Sequence, residues 1–87
     1  MIAEVWAAVY GEELASKRRS GPDQVRVLCP WHPERHPSCD ISLRKNAFIC
    51  RSCGAQGGYL DVVVLAGFAH DRREAAKWLE RRGIACR

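Results

Sequence analysis

The sequence reads Cys29-Pro30-Trp31-His32 and, after 17 intervening residues, Cys50-Arg51-Ser52-Cys53-Gly54. Each motif carries two thiol or imidazole side chains separated by two residues. Zinc in structural sites takes four such donors at the corners of a tetrahedron. A two-residue spacer lets a tight turn present both donors of one motif to the same ion. The intervening residues suffice for two short strands that return the second motif beside the first. The spacing therefore predicts one zinc ion, held by Cys29, His32, Cys50 and Cys53.

Two other interpretations of these cysteines remain open on the sequence alone. Free cysteine is often a small buried hydrophobic residue, although the proline-broken segment 29–39 offers little apolar material to bury it. Alternatively, Cys50 and Cys53 form a redox dithiol of the thioredoxin kind. That motif requires a strand leading in and a helix beginning at once, whereas the glycine-rich segment 54–58 follows Cys53. The zinc interpretation is favoured over both.

The predicted zinc site is structural, because four protein ligands leave no open position for a reacting water. The sequence contains no Ser-His-Asp set, no paired carboxylates and no phosphate-binding Gly-Lys-Ser/Thr loop. It therefore predicts neither catalysis nor a small-molecule substrate. Four further side chains fit neither ligand pair and receive no assigned role: Cys39, His36, His70 and Cys86.

Length and composition indicate a single small folded domain over residues 1–87. The chain has 87 residues, and domains below roughly 70–80 residues usually need a metal, a disulfide or a partner to stay folded. A hydrophobic content of 47% argues against disorder. No apolar run approaches the ~20 residues of a membrane span, and no signal peptide is recognisable. An odd count of 5 cysteines without an export signal suggests the reducing cytoplasm.

Hydrophobic periodicity places helices at the two ends of the chain. Apolar residues recur at helical spacing over residues 2–10, and Gly11 is expected to end this helix. A second helix is predicted over residues 59–68. The C-terminal helix is predicted over residues 71–82, since Asp71 and Glu74 form a capping pair and Gly83 ends it.

The region between the helices, residues 24–66, is predicted to contain the sheet and the metal site. Alternation of polar and apolar residues predicts short strands at 24–28, 40–43 and 46–50. The basic stretch 17–22 is interpreted as a loop or hairpin tip, and the glycines of segment 54–58 as a tight loop. The pattern is therefore that of a small sheet with helices around it.

Charge gives a weaker indication of the partner. The formal net charge is +4, with 14 Lys and Arg against 10 Asp and Glu. Such a modest surplus binds nucleic acid only where the cations are clustered. The basic residues of the last helix alternate with acidic ones and are interpreted as a solvated face. Cations near the predicted strands and metal are the candidate DNA contacts: Arg26, Arg44, Lys45 and Arg51. Trp31 and Phe48 either stack on bases or pack in the core.

The two motifs and their surroundings resemble the N-terminal zinc-binding domain of bacterial and phage DnaG-type DNA primases. The similarity runs over the segment Cys29 to Ser38, with its Pro37-Ser38, and over Phe48 to Gly58. It covers residues 24–66 and extends to the flanking helices. Zinc binding alone does not require the Pro-Ser pair, which makes the match specific. The chain departs from the family pattern at Trp31, where Phe is common, and at Cys39, where an aromatic residue is usual.

The resemblance implies an α+β zinc ribbon, a small antiparallel sheet flanked by helices, with one structural Zn²⁺. It also implies a module that binds single-stranded template DNA and assists primer initiation. Its partners would be single-stranded DNA and a primase polymerase domain or another replication protein. The acidic polymerase site of primases is not found in these 87 residues, so the chain alone is expected not to make primers. The alternative is a zinc ribbon that docks on a replication or mobile-element protein without binding DNA.

Overall fold

A five-stranded antiparallel sheet, in which each strand pairs with the next along the chain, forms the centre of the fold. The computed structural model describes residues 1–33 and 35–84. The elements in chain order are α1 (Ile2–Tyr10), a 3₁₀ turn (Leu14–Ser16), β1 (Arg18–Gly21), β2 (Gln24–Val27), β3 (Cys39–Ser42), β4 (Ala47–Cys50), β5 (Gln56–Gly58), α2 (Tyr59–Leu65) and α3 (Arg72–Arg81). The predicted class, a small α+β fold with an antiparallel sheet and flanking helices, is confirmed.

One face of the sheet forms the hydrophobic core. Val25, Ile41 and Phe48 lie opposite one another on β2, β3 and β4 and are at most 4% exposed. They form one buried cluster with Trp6 of α1 and with apolar side chains of α2 and α3. Because side chains alternate along a strand, the intervening residues point to the opposite face. That outer face carries the polar residues considered below.

The helix ends follow the local sequence signals. Gly11 adopts a left-handed conformation (φ 68°) at the end of α1. The Asp71 carboxylate accepts a hydrogen bond of 2.8 Å from the Glu74 backbone N–H at the start of α3. Helix α2 ends at Leu65, three residues earlier than predicted, with Gly67 following in a left-handed conformation. None of the described helices is long and apolar enough to cross a membrane.

The two edge strands differ from the sequence prediction. The stretch interpreted as a loop or hairpin tip contains β1, which pairs with β2, and the tight turn falls at Pro22-Asp23. The glycine-rich segment interpreted as a loop contains β5, in which Gly57 lies opposite Phe48. Neither strand alternates polar and apolar residues, because β1 is largely exposed and β5 has almost no side chains to bury. Cys86 lies outside the described residues.

Candidate metal centre and outer sheet face

The ligand atoms of Cys29, His32, Cys50 and Cys53 all lie within 4.8 Å of one another. The Sγ atoms of Cys29 and Cys53 are 3.7 Å apart, and His32 Nε2 lies 3.3 Å from Cys50 Sγ. A tetrahedral zinc with ordinary bond lengths separates two sulfurs by about 3.8 Å, and a sulfur from a nitrogen by about 3.5 Å. A disulfide would require sulfurs about 2.0 Å apart. The four side chains therefore fit one zinc ion.

Backbone hydrogen bonds shape the second of the two metal-binding turns. The Cys50 N–H donates to the Ala55 carbonyl (2.7 Å), and the Gly54 N–H donates to the Cys50 carbonyl (2.9 Å). Gly54 has a φ of 77°, a left-handed conformation that glycine adopts without a Cβ clash. The Arg51 N–H donates to the Ser38 carbonyl and so joins this turn to the first loop. These bonds hold Cys50 and Cys53 in one turn, facing the first motif.

His32 is oriented so that one ring nitrogen faces the thiols. Its Nδ1 lies 3.1 Å from the Pro33 carbonyl oxygen, which can only accept a hydrogen bond. An Nδ1–H that donates to this carbonyl leaves Nε2, on the Cys50 side, with its lone pair. Zinc-binding histidines are commonly fixed by such a bond from the ring nitrogen that does not face the metal.

The thiols differ in how readily they ionise. Burial is the main effect on Cys29 and raises its pKa to about 12. Burial acts in the same direction on Cys50, but hydrogen bonds, above all from the Ser38 hydroxyl and the Cys53 N–H, outweigh it and lower the pKa to about 6. Metal ligands must be deprotonated, so Cys50 is prepared for metal binding by its neighbours. Bound zinc supplies the positive charge that stabilises the remaining thiolates.

The prediction that His32 is the histidine that binds zinc can be tested directly. We expect His32→Ala to weaken zinc binding more than about 100-fold, beyond the loss usual for residues that merely support a ligand. His36→Ala is the matched control, because His36 is exposed and does not belong to the four-donor group. The measurement is competition with a colorimetric chelator. Equal losses in the two variants would mean that His32 is not a ligand.

Cys39 lies beside the centre without being one of its four donors. It is fully buried and sits directly opposite Cys50 in the β3–β4 register. Burial raises its pKa to about 12, so the thiol is neutral at physiological pH. It acts as a small apolar core residue.

The two aromatic residues proposed as base-stacking candidates belong to the core. Phe48 is only 4% exposed, and Trp31 packs against it with ring centroids 4.8 Å apart. Trp31 also contacts Trp6 edge-on at 5.9 Å. Phe48 thus packs in the core, and its contact with DNA stays a prediction. For Trp31 the structure favours packing over stacking.

A buried carboxylate organises the outer face of the sheet. Asp40 is 4% exposed, and its Oδ1 accepts a hydrogen bond of 2.7 Å from Arg26 Nε. Its Oδ2 lies 3.2 Å from Arg51 Nε. Burial by itself would raise the pKa of Asp40, but the bond and charge of Arg26, assisted by Arg51, lower it. Asp40 thus positions two of the predicted DNA-contacting arginines side by side. No sequence motif marks Asp40 as functional, because its role depends on the strand register that places it between Arg26 and Ile49.

The outer face also contains a shallow groove of about 270 Å³. Its lining includes Asp40, the polar Gln24 and Ser42, and the cationic Lys45. Ile49, also in the lining, is 46% exposed. Arg44 is exposed in the turn next to Lys45, between β3 and β4. The structure therefore brings all four predicted cations to this face or its edge.

A small antiparallel sheet closed by a Cys-His-Cys-Cys group defines the class of protein: a zinc-ribbon domain with one structural metal. Comparison with known proteins identifies the family. The profile described as "CHC2 zinc finger" matches residues 6–82, so the chain belongs to the CHC2 zinc-finger family of DnaG-type primases.

Individual relatives agree with this assignment. The chain is 34% identical over 59 residues to the DNA primase of Synechocystis and 36% identical over 59 residues to that of Synechococcus elongatus. Each match covers 68% of the chain but only 9% and 8% of the respective primase. The Mycoplasma genitalium DNA primase is 40% identical over 48 residues, which is 55% of the chain and 7% of that primase. The chain thus spans less than a tenth of these relatives.

A solved structure shows the same fold. The Aquifex aeolicus primase, in a structure of its zinc-binding and RNA polymerase domains, superposes with a TM-score of 0.64 at 33% sequence identity. The match covers 74% of this chain and 16% of the Aquifex chain. The described fold is therefore that of a primase zinc-binding domain.

Proposed function

We propose that this chain is the single-stranded DNA-binding module of a DNA primase, which helps to recognise the template and to start primers in the cytoplasm. The matched relatives are DNA primases, and the Aquifex structure contains a zinc-binding and an RNA polymerase domain. Its partners are then template DNA and a primase polymerase domain. The module itself is non-catalytic, since four protein donors fill a tetrahedral zinc.

The observation that carries this proposal is the excess of cations on the outer face of the sheet. Arg18 of β1 lies directly opposite Arg26 of β2. Like charges in such a cross-strand pair are destabilising. Asp40 neutralises only part of this charge, because it already binds Arg26 and Arg51. Within residues 1–33 and 35–84, Arg18 forms no ion pair. A phosphate backbone would supply the missing negative charge.

The groove beside these cations suits a single strand rather than a duplex. Its exposed Ile49 offers an apolar contact to an unpaired base, while Gln24 and Ser42 offer hydrogen-bonding groups for base edges. Lys45 at the rim, with Arg44 beside it, would contact phosphates. Most of the affinity then comes from phosphate contacts, which makes binding strongly dependent on salt.

The proposal is tested by titrating the zinc-loaded chain into a fluorescent thymidine oligonucleotide at several salt concentrations. Each phosphate contact to a single strand contributes about 0.7 to the slope of log K against log salt. We expect Arg18→Ser and Lys45→Ser each to reduce the slope by about this amount. Arg73→Ser is the matched control, because it removes an exposed cation of α3 outside the sheet.

Two outcomes would contradict the proposal. Absence of binding at low salt would favour the alternative, a zinc ribbon that docks on a protein without contacting DNA. An equal change of slope in Arg73→Ser would show that binding follows net charge and not the outer face of the sheet.

A further inference from the structure

The helical side of the domain has a second groove that the DNA-binding proposal does not use. This helix groove, of about 340 Å³, is lined by Phe68, Glu74, Lys77, Trp78 and Arg81. Phe68 is 51% exposed, and its ring stacks on that of Trp78 at a centroid distance of 5.1 Å. Leu65, near the end of α2, is also 43% exposed. The groove shares no residue with the groove on the sheet.

The rim of the helix groove is positively charged. In the part of the chain that the structure describes, Lys77 and Arg81 form no ion pair. The Arg82 guanidinium lies 4.0 Å from the centre of the Trp78 ring. Glu74, the one acidic residue of the lining, accepts a hydrogen bond of 3.0 Å from the His70 backbone N–H. Its carboxylate is thus engaged at the start of α3, which leaves Lys77 and Arg81 available to a partner.

We infer that the helix groove binds an acidic amphipathic helix of a protein partner. Lys77 and Arg81 are one helical turn apart, about 6 Å along α3. Carboxylates four residues apart on a partner helix have the same separation, so each can face one cation. An apolar side chain between them would pack against the exposed ring of Phe68. Insertion of an amphipathic helix into a groove is a common mode of peptide recognition.

Charge and packing favour this occupant over two others. A second copy of the chain would bring Lys77 and Arg81 against a surface of the same net charge. Single-stranded nucleic acid typically stacks successive bases on several aromatic rings, but here only the outer side of Phe68 is open, because Phe68 and Arg82 both pack on the ring of Trp78. An acidic helix supplies the opposite charge and needs only the outer side of Phe68.

The test uses a synthetic helical peptide of about 16 residues, long enough to form a helix, composed of Leu, Ala and Glu with the Glu residues four apart. A second peptide has Lys in place of every Glu. Each is added to isotope-labelled, zinc-loaded chain and followed by NMR. We expect the Glu peptide to shift the signals of Phe68, Lys77, Trp78 and Arg81. The Lys peptide should bind at least tenfold more weakly.

Charge-reversal variants of the chain test whether Lys77 and Arg81 are the cations that bind the acidic peptide. The double variant Lys77→Glu/Arg81→Glu should bind the Glu peptide at least tenfold more weakly and the Lys peptide more tightly. Arg19→Glu/Arg35→Glu makes the same change of net charge away from the groove and should bind the Glu peptide as the unmodified chain does. Thermal melting checks that all variants remain folded. Equal binding of the two peptides, or equal losses in the two double variants, would overturn the inference.

Two further outcomes would assign the groove to another occupant. If a thymidine oligonucleotide shifts the signals of Phe68 and Lys77, the groove binds nucleic acid and the inference is wrong. If sedimentation shows a dimer that Lys77→Glu/Arg81→Glu abolishes, the groove joins two copies of the chain and the inference is equally wrong. An oligonucleotide that shifts only the sheet signals supports two separate surfaces.

Discussion

Removal of zinc with a chelator is expected to unfold the chain. Structural zinc sites in small domains contribute about 10–16 kcal/mol of binding free energy, whereas whole domains are stable by only about 5–15 kcal/mol. The segment between β2 and β3 contains no helix or strand in its described residues. Besides the contacts among the metal-binding side chains, this segment is connected to the sheet by the packing of Trp31 on Phe48 and by the bond from Arg51 N–H to the Ser38 carbonyl. Loss of the metal therefore removes most of the net stability.

Circular dichroism and tryptophan fluorescence would follow this unfolding. Trp31 reports on the metal centre directly, because it precedes His32 and packs against Trp6 and Phe48. Cys50→Ser should produce the same unfolded spectrum without a chelator. Cys39→Ala is the matched control: Cys39 is equally buried and lies opposite Cys50, but it is not among the four donors. That variant should stay folded and keep its zinc. A chelated chain with unchanged spectra would contradict the prediction.

The metal site could be predicted from the sequence because its information is local. Two ligand pairs with two-residue spacers define the turns, and Gly54 marks the left-handed position that closes the second. The inner strands were also recognisable, since Val25 and Val27 alternate with polar residues on β2. In both cases the types and spacing of the residues reflect the local backbone conformation, so the sequence is enough to predict it.

The edge strands, the ion pairs of Asp40 and the burial of Phe48 could not be predicted, because they depend on contacts between segments that are distant in the sequence. The strands β1 and β5 are defined by backbone pairing with their neighbours, and their own side chains carry little periodicity. The interaction of Asp40 with Arg26 and Arg51 depends on strand register, which no local pattern reveals. The sequence does not decide between stacking and packing for Phe48 for the same reason, because the burial of Phe48 depends on which face of β4 meets the core.

Replacement of the buried carboxylate is the second change with a large expected effect. Asp40→Asn keeps the shape of the side chain but removes the charge that binds Arg26 and Arg51. Hydrogen bonds to charged groups contribute about 1.5–3 kcal/mol each. Both arginines are partly exposed, which weakens their ion pairs. We therefore expect the free energy of unfolding to fall by about 1–2 kcal/mol at pH 7, measured by denaturant unfolding of the zinc-loaded chain. Asp23→Asn, in the exposed turn before β2, is the matched control and should change little.

The pH dependence of this loss in the free energy of unfolding tests whether it arises from the charge of Asp40 and its pairing with the two arginines. The pKa of Asp40 is lowered in the folded chain, so its stabilising effect is complete above the unfolded value of about 3.9 and disappears only as the pH falls through the lower folded value. The difference between the unmodified chain and Asp40→Asn should therefore be constant between about pH 6 and pH 8, a range in which the thiolates still hold zinc. If burial dominated instead, the pKa would be raised, and the unmodified chain would lose stability relative to Asp40→Asn as the pH rises through that value. A difference that shrinks as the pH rises would show that the two arginines do not hold Asp40 in its charged form.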